Sequence, residues 1–287
     1  MVGESEEIIV STNAAMEKWR QGDFFFDEDL FFIHLANLAC PLTLEAKAMA
    51  CERASTGEPL EVEGVASAVV GYVVLTQTCD LVRDCGKRSY VELSPLVEVA
   101  ESILNEVRLL RRPAFAFVPN AATKMVVADL DRIVTVEKSI LVRYVPTEGC
   151  NDESERRAFA DALARHRTRA AFPDDFNRNM EPVREYLKKI HRSNDAEGLL
   201  IQSIGDIRIT ASPNWGAEKI SIFLWFIQTP PAASPNVDVS PYIAKWLAMF
   251  RPSEKYDLQA IVCKLDDLKA SDYVGSDRLD LDQLSAS

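Results

Sequence analysis

Residues Thr76-Gln77-Thr78-Cys79-Asp80 gather two hydroxyls, an amide, a thiol and a carboxylate into one short stretch. They follow an apolar run directly, so their polar groups emerge where a strand meets a loop, a usual place for a site. Arg83, Lys87 and Arg88 stand close by and can balance the carboxylate. Thr76, Gln77, Thr78, Cys79 and Asp80 are therefore candidates for binding. Thr78, Asp80, Arg83 and Arg88 are candidates for catalysis. The plainer reading of the same stretch is an Asp80 that caps its own turn and a Cys79 that packs as a small apolar group.

Other chemistry has weaker support. A nucleophilic Cys79 needs a base or a cationic setting. Of the three histidines, His34 sits in an apolar segment and His166 and His191 on helical stretches, so no Cys-His pair can be assigned. No P-loop, dinucleotide glycine pattern or Ser-His-Asp set is present, and no cofactor is expected. The six cysteines form no C-x-x-C, and no metal site is expected. The aspartates Asp272, Asp277, Asp280 and Asp282 lack the glycine and glutamate of a calcium loop. Arg167 and Arg169 with Phe172 form a second binding candidate, two guanidiniums for phosphate and a ring for stacking. The alternative is that these arginines pair with Asp174 and Asp175 or with the acidic part of the chain.

These residues must be held by elements that the pattern outlines. Residues 65–78 (VASAVVGYVVLTQT) form a β-branched apolar run and read as the main core strand. Residues 89–99 alternate apolar and polar and read as a half-buried strand. The CDLVRDCGKR stretch between them reads as a loop. A helix over 42–54, stopped by Ser-Thr-Gly-Glu-Pro, reads as an insertion between two strands. The first ten residues look frayed. A helix is expected over 100–111, a short strand at 115–118 and further extended segments over 125–145. Helical periodicity then runs through 152–168 and 181–192, with Pro173 between. Its apolar faces, Phe159/Leu163 and Val183/Tyr186/Leu187/Ile190, must be covered by something. The last third reads as two strands, a proline-rich loop, a helix at SPYIAKWLAMF and a strand at YDLQAIVCKL. That β-β-α-β order makes the fold class α+β. The expected domains are 1–148, a helical bridge over 149–198, and 199–287.

The chain of 287 residues carries a net charge of −12, of which −9 falls within residues 1–70. Residues 71–200 are neutral overall. Such a charge opposes general nucleic-acid binding but leaves room for a local basic cleft. No apolar run approaches a membrane span, and no signal peptide is evident. A cytoplasmic protein with free thiols and no membrane partner is expected.

QGDFFF, VVGYVVLTQTCDLV, SYVELSPLVEV and ADLDRIVTVEKSILVR, in that order, resemble the signatures of MazF/PemK-like toxins over roughly residues 18–145. The likeness rests on Gly22-Asp23, Ser94-Pro95-Leu96 and Asp131–Lys138, and residues 30–64 interrupt it. It implies an SH3-like β-barrel and metal-independent RNA cleavage. The family's catalytic arginine and threonine have no counterpart here. Ala68–Tyr72 holds no arginine, and Val97 stands where the threonine would be. TQTCDL, RAAFPDD and SDRLDLDQLS also resemble motifs of an uncharacterised bacterial family, which implies no activity. The expected function is a non-catalytic interaction component of a bacterial defence or toxin–antitoxin-type system, with another protein as partner. The alternatives are a divergent ribonuclease acting on RNA at Thr76–Asp80 and a small-ligand sensor. The sequence leaves the oligomeric state open.

Overall fold

The computed structural model describes residues 2–27, 29–108, 112–168, 170–228 and 238–279. Arg169, the proline-rich loop and the tail aspartates Asp280 and Asp282 lie outside them. The fold mixes helices with several sheets, and its contacts divide the chain into two units, 1–167 and 168–287.

The first unit opens with α1 (Val2–Met16), where the sequence reads as frayed. The helix is hidden from pattern reading because Ile8 and Val10 face water, whereas Met16 and the following Trp19 enter the core. Then come β1 (Phe24–Phe26), β2 (Phe31–Asn37), α2 (Leu44–Thr56), β3 (Val62–Ala68) and β4 (Gly71–Val74). The run read as one strand is thus two. β3 pairs only with β2, in a separate two-stranded sheet, while β4 lies between β1 and the next strand of the main sheet. α2 does stand between strands, capped by Thr43 Oγ1 and ended by Gly57 in the left-handed region at φ 74°.

A single helical turn, α3 (Thr78–Leu81), opens the stretch read as a loop. It leads to β5 (Tyr90–Glu98), α4 (Glu101–Arg108), β6 (Phe115–Ala116), β7 (Val126–Asp129) and β8 (Val134–Glu137). The segment read as extended to 145 instead turns into α5 (Lys138–Leu141), and α6 (Glu153–Arg167) ends the unit. β5 is the spine of the main sheet. It pairs antiparallel with β4 along one edge and with β8 and then β7 along the other.

The expected barrel is not closed: among the described residues the sheet runs β1-β4-β5-β7-β6, and no ladder joins its ends. Instead, successive residues of β4 feed two different cores. Val73 and Leu75 pack with Phe24, Leu96 and Ala128 and with Phe159 and Ala162 of α6. Tyr72 and Val74 pack with Met16, Trp19, Leu81 and Leu141. A strand buried on both faces must be apolar at every position, which is why GYVVL shows no alternation.

The second unit begins with α7 (Asp174–Ile190) and α8 (Ala196–Ser203). The latter replaces the first turns of a segment read wholly as strand. β9 (Ile204–Ser212), β10 (Ile220–Gln228), α9 (Ser240–Ala248), β11 (Tyr256–Lys264), α10 (Ala270–Val274) and β12 (Asp277–Arg278) follow. The sheet order is β11-β10-β9-β12, with β10 and β11 parallel and α9 between them in sequence. Phe176, Met180, Val183 and Leu187 recur at helical spacing on α7 and enter the core of this unit. The stretch read as a bridge is thus divided. The apolar face of α6 is covered within the first unit and that of α7 within the second.

Candidate functional site

The first unit carries a cleft of about 530 Å³ lined by the end of β4 and the turn after it, by β5 and β8, and by the last turns of α6. Five of the sequence candidates meet there: Thr76, Gln77, Asp80, Arg88 and Arg167. Tyr90, Glu92, Thr135 and His166 join them, and Leu130, Ile133 and Leu163 supply apolar wall. The volume lies within the usual range for small-molecule sites, about 300–1,000 Å³.

The turn is built from its own hydrogen bonds. Thr76 Oγ1 accepts from the backbone N–H of Glu92 at 2.7 Å, which ties the end of β4 to β5. Thr78 Oγ1 accepts from the backbone N–H of Gln21 at 3.1 Å, and the Gln21 amide donates to Leu75 O. Gln77 precedes α3 and accepts backbone bonds from Asp80 and Leu81. Thr78 is therefore a fixing residue outside the cleft lining. Cys79 is exposed and also outside it, with a single weak contact from Sγ to Gln77 Oε1 at 3.7 Å.

Lys138 holds the turn from beneath, and the sequence reading did not single it out for this. Its side chain is fully buried, and Nζ donates to the carbonyl oxygens of Asp80, Leu81 and Arg83 at 2.9, 2.8 and 2.8 Å. The ammonium thus caps the free carbonyls at the end of α3, as a cation at a helix C-terminus does. Burial holds its pKa below the ordinary 10.5. No carboxylate pairs with it within ion-pair distance among the described residues, so the backbone does the solvating.

The charges of the cleft are nearly matched. Asp80 Oδ1 pairs with Arg83 Nε at 3.3 Å, and Glu92 Oε2 with Arg167 Nη2 at 2.8 Å. Arg167 therefore does not pair with Asp174 or Asp175, and Asp175 is taken by Lys255 at 2.8 Å. The Arg88 guanidinium has no hydrogen bond or ion pair among the described residues. The lining thus holds two guanidiniums, Arg88 and Arg167, and two carboxylates, Asp80 and Glu92, and Arg83 pairs with Asp80 from outside it. His166 Nδ1 lies 3.1 Å from Pro113 O, a carbonyl that can only accept. The ring is therefore held with Nδ1 as donor and Nε2 left for a ligand.

The remaining candidates fall elsewhere. Phe172 belongs to the second unit, half-buried against Trp215 and Phe176 at centroid distances of 5.3 and 5.8 Å. It packs against the core of that unit and is not among the residues that line the cleft. Tyr90, Glu92 and Thr135 escaped the sequence reading although their signal was present. The alternation of β5 puts Tyr90 and Glu92 on one face, and Thr135 pairs directly with Glu92 across β8. Among the described residues no group of three or more His, Cys, Asp or Glu is placed to hold a metal, and no helix is long and apolar enough to cross a membrane. No protein-family model, curated protein or solved structure matches the chain.

Proposed function

We propose that the protein is a binding component of a bacterial defence or toxin–antitoxin-type system, and that its cleft takes a small anionic ligand of nucleotide size. The observation that carries the ligand class is Arg88. It faces a cleft whose two carboxylates are already matched by Arg83 and Arg167, so its charge is left for a guest. Tyr90, which is mostly exposed at the rim, adds a ring for stacking. The wider setting rests on the likeness to MazF/PemK-like proteins. What supports that likeness is that Phe24–Phe26, Gly71–Val74, Ser94-Pro95-Leu96 and Val134–Glu137 fall on strands of one sheet. The loss of the family's arginine and threonine favours binding over catalysis.

Calorimetry with mono- and dinucleotides and short single-stranded RNA tests the reading. Binding by one of these, weakened at least tenfold by Arg88→Ala with an unchanged melting temperature, supports it. No binding across that panel, or binding indifferent to Arg88, overturns it. A second reading, a metal-independent ribonuclease working at Thr76–Asp80, is favoured by the imidazole of His166, which lines the same cleft as Asp80. Cleavage of labelled single-stranded RNA that Asp80→Ala abolishes would replace the first reading with this one.

A further inference from the structure

The row of side chains that β5 brings to the cleft carries more than a charge. Tyr90 and Glu92 lie on one face of the strand, about 7 Å apart along it. Arg88 stands two residues before them, and all three line the cleft. Their chemistry runs in a fixed order. First comes a guanidinium with no hydrogen bond or ion pair among the described residues, then a ring 64% exposed, then a carboxylate. A nucleotide presents matching groups in the same order: a phosphate, the flat face of a base, and the hydrogen-bonding edge of that base. Leu130 and Leu163 add apolar wall beside which a base can lie.

The last member of the row decides which base. Glu92 Oε2 accepts from Arg167 Nη2 at 2.8 Å, which holds the side chain in place. Glu92 Oε1 accepts no hydrogen bond among the described residues and is left for a guest. An ionised carboxylate accepts and cannot donate. It therefore suits a base edge made of donors and is repelled by a lone pair. Guanine alone among the four bases sets two donors side by side on that edge, its ring N1–H and its amino group. Adenine and cytosine place an acceptor ring nitrogen beside their amino group, and uracil flanks its one ring N–H with two carbonyls. Given the anionic-ligand reading above, on which this assignment rests, we infer that the cleft takes a guanine mononucleotide. Its phosphate lies on Arg88, its base on Tyr90, and its N1–H and amino group on Glu92.

Calorimetry on the full chain with the 5′-monophosphates of guanosine, inosine, adenosine, cytidine and uridine tests this. Inosine monophosphate is the guanosine compound without its amino group. The guanosine compound should bind about tenfold more tightly than it, because a hydrogen bond to a charged acceptor is lost, and more tightly than the other three. Glu92→Gln replaces two acceptors by one acceptor and one donor, which matches the edge of adenine. The guanosine compound should then lose about tenfold in affinity while the adenosine compound gains. A mere loosening of the cleft by a freed Arg167 would weaken both alike, so equal weakening overturns the role of Glu92. The comparison of guanosine with inosine monophosphate needs no variant and decides the matter if Glu92→Gln does not fold. Equal affinity for all five compounds, still lost in Arg88→Ala, overturns the guanine assignment and keeps the anionic-ligand reading. No binding by any of the five, or binding indifferent to Arg88→Ala, overturns both.

Discussion

Replacing Lys138 by Met removes the ammonium while keeping an unbranched stem of similar length, and it isolates what the charge contributes. Three hydrogen bonds disappear, from Asp80 O, Leu81 O and Arg83 O. Bonds to a charged group are worth about 1.5–3 kcal/mol each, so the gross loss is roughly 4.5–9 kcal/mol. Two effects offset it. The cost of burying an ammonium, several kcal/mol, disappears with the charge. The bonds to Asp80 O and Arg83 O are only part-buried, so water can reach those carbonyls, whereas the bond to Leu81 O is buried. A net loss of about 3 kcal/mol remains, most of it from the buried carbonyl. For a unit of this size that lowers the melting temperature by about 6–12 °C. Amide hydrogen exchange read on β4 and β5 reports the stability of this unit alone, and amides 78–83 should lose protection first. The sign with pH follows from the depressed pKa. The folded protein releases the Lys138 proton before the unfolded chain does, so wild-type stability relative to the variant rises as pH climbs through the folded value toward 10.5 and is lost as pH falls back through it. A variant within about 0.5 kcal/mol of wild type, the range of a surface substitution, would refute the claim that Lys138 holds the turn.

Val74 is fully buried on the central strand β4, and Val74→Asp places an unpartnered carboxylate there. Soluble expression should fail, and an unaltered melting temperature would show that the strand is not central. Cys79→Ser should leave calorimetric affinity for any cleft ligand within about threefold, since Sγ is exposed and outside the lining. A loss of orders of magnitude would bring Cys79 into the site. In the second unit, burial pushes the Glu197 carboxyl upward. Hydrogen bonds from Lys245, Trp246 and Tyr186 outweigh this and hold it below 4.5. Glu197 therefore stabilises the fold above its unfolded pKa, and the gain is lost as pH falls through the folded one. Glu197→Gln should flatten the acid side of the stability profile, and an unchanged profile would assign acid unfolding to another group.

The main strand was legible because burial on both faces imposes an unbroken apolar code on Val73, Val74 and Leu75. The same code concealed where the strand changes sheets, since Val65, Val69 and Val73 look alike whichever neighbour they pair with. α1 was not legible, because its inward side, Ile9, Thr12, Asn13 and Met16, is half polar while Ile8 and Val10 face water. The polar turn at Thr76–Asp80 could be picked out as a site from residue types and a strand end alone. Its division of labour could not. Thr78 and Thr76 are neighbours of the same chemistry, yet one faces the cleft and the other fixes Gln21. That depends on where residues 20–23 run, a contact more than fifty positions away. Phe172 shows the converse limit. Next to arginines it has the composition of a base-stacking ring, but what decides its role is Trp215, more than forty residues downstream.

The same distance in sequence accounts for how the cleft and the fold are joined. β5 supplies Tyr90 and Glu92 to the cleft through one face, while Val91 and Leu93 enter the core through the other. β8 does likewise, giving Thr135 to the cleft and Val136 to the core, and the next residue but one is Lys138. The lysine that caps the turn therefore follows directly on that strand, as the first residue of α5. A shift of β8 by one residue would turn Thr135 away from Glu92 and draw Nζ off its three carbonyls together. Register thus couples the shape of the cleft to the stability of its floor. The ribbon of β2 and β3 is free of that constraint. β2 and β3 pair only with each other, so their register is set independently of the main sheet.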